Sequence, residues 1–104
     1  MTYQLTVIYN RPDDIAAFDA HYEQTHAPLA LQIPGVQSFT SFHPEPGEDG
    51  AAPEVHLVAE LSFADKAAFD AGMGSDAGQA AVNDVPNFAT GGATMLAGEL
   101  TTYA

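Results

Sequence analysis

TYQLTVIYNRPDDIAAFDAHYEQTHAP, residues 2–28, changes its hydrophobic period once. From Thr2 to Tyr9 the period is two, with Tyr3, Leu5, Val7 and Tyr9 on one side and Gln4, Thr6 and Ile8 on the other, which is a strand. Asn10-Arg11-Pro12 breaks it. Asp13 is placed to accept from the free amides of a first helical turn. From Asp14 onward Ile15, Phe18 and Tyr22 recur at spacings of three and four, one face of a helix. That helix is expected to end near Thr25, because the residue before Pro28 is disfavoured in the helical region.

Working outward, the same two periods recur. A short helical stretch over Leu29–Leu31 stops at Pro34-Gly35, and Val36–His43 reads as a second strand carrying Phe39 and Phe42. Pro44–Pro53 is an acidic hairpin loop, and Val55–Phe63 is a third strand. Ser62–Asp65 offers caps for a helix over Lys66–Phe69, which Gly72 and Gly74 are expected to interrupt. Ser75 or Asp76 restarts a turn or two through Val82, Pro86 ends it, and Ala93–Tyr103 is a fourth strand. The order is β-α-β-β-α-β, an α+β, ferredoxin-like arrangement over residues 1–104 as one domain. One sheet face takes both helices, and the other also carries apolar side chains. Face-to-face pairing of two sheets in a homodimer is the expected cover.

Composition bounds the function. The 104 residues carry 46% apolar residues and no cysteine, so disulfides and thiolate metal sites are excluded. Fourteen Asp and Glu face only Arg11 and Lys66, for a formal charge of −12. Such a surface repels phosphate backbones and anionic lipids, so neither nucleic acid nor membrane is an expected partner. Scarce lysine beside abundant Asp suggests a salt-adapted, halophilic host or simply an unusually acidic protein. The first residues lack the basic and apolar regions of a signal peptide, and a cytoplasmic location is expected.

Three segments carry a resemblance as well as a fold. FDAHYEQTHAPLALQIPGVQSF (18–39), HLVAELSFADKAAFDAGM (56–73) and DAGQAAVNDVPNFATGGATMLAGEL (76–100) together resemble the EthD-like family. The helix-end pattern Tyr22-x-x-x-His26-Ala27-Pro28-Leu29 and the later Pro86-Asn87-Phe88 are its most specific pieces. The resemblance implies a dimeric α+β barrel with a cavity between sheet and helices in each subunit. It links the chain to bacterial ether degradation and to proteins labelled reductases. Wider kin include muconolactone isomerases, polyketide cyclases, cofactor-free monooxygenases and haem-binding enzymes. A fold that hosts so many chemistries does not fix one of them.

His26 is the first catalytic candidate. Tyr22 lies four residues earlier, so the two share one side of the helix. At a helix C-terminus His26 would favour its cation and exchange protons near neutral pH, while Tyr22 holds a carbonyl or phenol oxygen. The pair suits acid–base work on a small ketone or phenol. Alternatively His26 caps helix carbonyls and Tyr22 is core. His56 is a third candidate and shares a strand face with Glu60; that face meets either the helices or a partner sheet. Phe18, Tyr22, His26, Asn87 and Phe88 are the expected substrate-binding residues, the last two as a cavity rim implied by the resemblance. His21 and His43 are expected in solvent, and no histidine pair has a local metal-ligand spacing, so no metal is expected. No phosphate loop or dinucleotide fingerprint is present, and no cofactor is expected. Two other readings stay open: a non-catalytic metabolite-binding or oxygenase-associated module, and a haem-binding protein with His26 or His56 as axial ligand.

Overall fold

A computed structural model of the chain describes residues 2–104. Four strands, β1 (Tyr3–Asn10), β2 (Ser38–Phe42), β3 (Val55–Phe63) and β4 (Ala93–Glu99), form one antiparallel sheet in the order β2-β3-β1-β4. With α1 (Ile15–His21) and α2 (Ala27–Leu31) after β1, and α3 (Lys66–Gly74) and α4 (Asp76–Phe88) after β3, this is the ferredoxin-like α+β arrangement. The expected alternation holds. Leu5, Val7 and Tyr9 of β1 and Leu57, Ala59, Leu61 and Phe63 of β3 are buried beneath the helices. Burying such side chains contributes about 1.5–3 kcal/mol each, and these two central strands supply most of the core.

The helices cover only the centre of the sheet. Edge strand β4 is exposed along its whole length, and β2 is exposed apart from Phe39. On the uncovered face the register sets Thr40, Glu60, Thr6 and Leu96 in one row. Phe42 and Leu96 there are more than half exposed.

Several local expectations are corrected. Asp14 caps α1, accepting from the Ala17 amide at 3.0 Å, while the Asp13 amide donates to Thr90 Oγ1. The helix does not end before Pro28. A π turn over Tyr22–His26, closed by the Ala27 amide on the Tyr22 carbonyl, joins α1 to α2 and leaves Pro28 in the first turn of α2. Helical backbone runs unbroken through this point, so the proline removes one donor to the preceding turn, a cost that burial of Tyr22 and His26 against the sheet offsets. Gly72 likewise does not interrupt α3. A Cβ at that position would run into the Pro34 carbonyl, so glycine permits close approach of the helix to the turn before β2. Pro86 lies inside α4, in its last turn, where it removes one amide donor; burial of Phe88 beyond it holds the turn. Asp65 and Ser75 cap α3 and α4 as expected. The last strand stops at Glu99, not Tyr103.

Candidate functional site

The π turn places two rings against the sheet. Tyr22 and His26 are both buried, with centroids 5.2 Å apart. Phe18, one turn earlier, stacks parallel to Tyr22 at 5.9 Å, and Phe88 from α4 packs on His26 at 4.7 Å. Tyr9 from β1 closes the cluster, lying 5.5 Å from both Phe18 and Phe88. Three elements thus converge on an apolar box around one imidazole.

The box holds one carboxylate. Asp84 lies on the buried side of α4, one turn before Phe88. His26 Nδ1 is 3.0 Å from Asp84 Oδ2, and His21 Nε2 is 2.9 and 3.0 Å from its two oxygens. Asn87 Nδ2 donates to Asp84 Oδ1 at 3.0 Å. Burial raises the Asp84 carboxyl, but hydrogen bonds from Asn87, His21 and His26 outweigh it and hold the group below its ordinary value. For His26 the balance runs the other way. Burial lowers it and dominates the opposing pull of Asp84, so the ring is neutral at neutral pH. The carboxylate can only accept, so Nδ1 carries the proton and Nε2 keeps its lone pair. The Tyr9 hydroxyl lies 3.5 Å from Nε2, a long contact. Burial raises the Tyr9 phenol, helped by Tyr22 and Asp84, and raises that of Tyr22, so both stay protonated.

The expectation of a helix-end cation at His26 is therefore wrong. The helix continues past it, the ring is 6% exposed, and burial favours its neutral form. His21, expected in solvent, is bound to Asp84. Asp84 and Tyr9 were absent from the expected set. An Asp three residues after Ala81 and four before Phe88 occupies the apolar stripe of α4, which was the available signal.

His56 is not part of this cluster. Tyr9 pairs with Leu57 and Asn10 with Val55, so His56 is an extra residue in β3. This irregularity turns its side chain from the Glu60 face to the helix side, where Nε2 lies 2.8 Å from Asp19 Oδ1 and the ring sits edge-on to Phe18 at 4.9 Å. Glu60 stays on the uncovered face in the alternation, beside Thr6 and Thr40.

A cavity of about 30 Å³ lies between sheet and helices, lined by Tyr9, Tyr22, His26, Ile33 and Phe39 among others. That is room for a water or two. A groove of about 300 Å³ runs beside it between β2 and α1–α2, lined by Asp19, Tyr22, Glu23, Leu31, Phe39 and His43. Tyr22 and Phe39 belong to both walls.

Fold and site together define a ferredoxin-like α+β protein with a buried Asp–His pair under the sheet. The EthD domain model matches residues 12–92, and the chain belongs to the EthD family. It is 45% identical over 94 residues to an uncharacterized 11.0 kDa protein of the thcB-thcC intergenic region of Rhodococcus erythropolis, covering 90% of each. An EthD family protein of Bacillus halodurans C-125 has a similar structure, with a TM-score of 0.90 at 32% identity over 97% of this chain and 100% of that one. A dimeric ferredoxin-like protein of unknown function from Thermobifida fusca YX shares the fold with a TM-score of 0.71, at 12% identity over 96% and 92%. Among the described residues, no helix is long and apolar enough to cross a membrane.

Proposed function

We propose that this protein binds a small, mostly apolar ketone or phenol, and that His26 exchanges a proton with it without a cofactor. The observation that carries this reading is the 3.0 Å contact between Asp84 and a buried, neutral His26. The carboxylate fixes the tautomer and steadies the imidazolium that forms when Nε2 takes a proton, as the Asp of a catalytic triad does. Tyr9 and Tyr22, both protonated, are the hydroxyls that would hold the substrate oxygen. Entry is from the 300 Å³ groove, with the Tyr22 ring moving aside to join it to the cavity.

The protein is proposed to act as a homodimer. The exposed β2 and β4 and the partly apolar open face support this, as do dimeric proteins of the same fold. The small cavity favours a second reading, a carrier that holds its ligand in the outer groove and does no chemistry.

The test is α-proton exchange of phenylacetone in D2O, followed by NMR, with saturation transfer reporting binding. The acid–base reading expects exchange by the native protein and none by a folded His26→Gln variant. Binding without exchange in both would establish the carrier, and neither binding nor exchange would refute both readings for this ligand class.

A further inference from the structure

We propose that Asp19, His43 and His56 form a binding site for a divalent first-row transition-metal ion of the zinc class. The three come from α1, from the residue following β2, and from the irregular start of β3. No local spacing in the sequence joins them, yet one ligand atom from each lies within 4.8 Å of the others. Bonds of about 2.0–2.2 Å in a tetrahedral site set ligand atoms roughly 3.4 Å apart. The His56 Nε2–Asp19 Oδ1 pair, at 2.8 Å, needs to open slightly, and the exposed His43 needs to swing inward.

The surroundings suit the ion. His43 Nδ1 is 2.9 Å from the His56 carbonyl and must donate to it. In the neutral ring this leaves the lone pair on Nε2, and such a backbone bond is the usual outer support of a metal-bound histidine. The Phe18 edge contact steadies the His56 ring. Two imidazoles and a carboxylate prefer zinc, iron, nickel or copper to the oxygen-seeking magnesium and calcium. The site opens on a pocket of about 230 Å³, which leaves a coordination position for water. Arg11 lines the same pocket with its guanidinium on the Pro53 carbonyl, and its charge opposes that of the ion. Asp19 and a chain charge of −12 act in the other direction. The irregularity at His56 gains a purpose here, since regular pairing would have sent that ring to the opposite face.

The proposal is independent of the Asp84–His26 chemistry and is tested with zinc alone. The full chain is stripped with chelator, dialysed, and titrated with Zn²⁺ by calorimetry, and Co²⁺ absorption reports nitrogen ligation. One ion per chain is expected, with affinity falling at least tenfold in Asp19→Asn, His43→Gln and His56→Gln. His43 is exposed, so His43→Gln keeps its fold and is the deciding variant. Absence of saturable uptake overturns the proposal. So does uptake unchanged in His43→Gln, which assigns the zinc to surface carboxylates, or uptake lost only in His21→Gln, which assigns it to the Asp84 cluster.

Discussion

Replacing Asp84 with Asn keeps the shape of the side chain and exchanges one acceptor oxygen for an NH2 group. In the native cluster the two oxygens receive His21, His26 Nδ1 and Asn87 Nδ2 at 2.9–3.0 Å. An amide cannot serve all three. With its oxygen toward His26, its NH2 faces the NH2 of Asn87. With its oxygen toward Asn87, its NH2 faces His26 Nδ1, which must give up its proton and become an acceptor. Hydrogen bonds to a charged group contribute about 1.5–3 kcal/mol each. One is lost outright, and a second is weakened at the half-buried His21, for a cost of about 3 kcal/mol. On a domain of this size that lowers Tm by roughly 10–20 °C. Thermal unfolding at fixed protein and salt concentration reads the loss, and ¹⁵N NMR of the histidine rings reads the tautomer of His26. A variant that melts within about 2 °C of the native protein, with unchanged ring spectra, would refute the idea that this carboxylate orients the ring.

Acid should weaken the fold in two stages. The folded state lowers His26 below 6.5, so the unfolded chain binds the extra proton; stability is full above 6.5 and falls as pH drops below it. Asp84, lowered below 3.8, adds a further loss in stronger acid. Denaturant midpoints from pH 7.5 to 5 should slope in the native protein and flatten in His26→Phe. Salt should act in the opposite sense: with a charge of −12, Tm should rise as NaCl goes from millimolar to molar, and a flat profile would count against charge repulsion as a dominant cost.

The strand–helix order was legible because the alternation of Leu5-Val7-Tyr9 and the spacing of Phe18-Tyr22 are local signals of burial, although Ile15 at the start of the same stripe is left exposed. Helix boundaries at prolines were not. Local preference ends a helix ahead of Pro28, but packing of Tyr22 and His26 against the sheet favours continuing it through a wider turn. Half of the candidate site was visible for the same reason. His26 and Tyr22 are neighbours in sequence and remain so in space, whereas Asp84 reaches His26 across 58 residues. His56 parts from Glu60, whose face strict alternation gives it, because one extra residue enters the pairing, and the sequence before Leu57 carries no mark of it.

The π turn also makes the length of one segment a quantity under selection. An α-helix advances about 100° per residue, so a five-residue turn acts as one residue added to a regular helix. Deleting any one of Glu23, Gln24 or Thr25 would restore the regular helix with the faces on either side still in register, whereas adding a residue there would rotate everything after it by about 100° against everything before it. With such an addition Phe18 could face the sheet, or Ala30 and Ile33 could, but the two halves could not keep their present buried faces together. Substitutions at these three exposed positions, or the loss of one of them, should be absorbed, while a further addition should not.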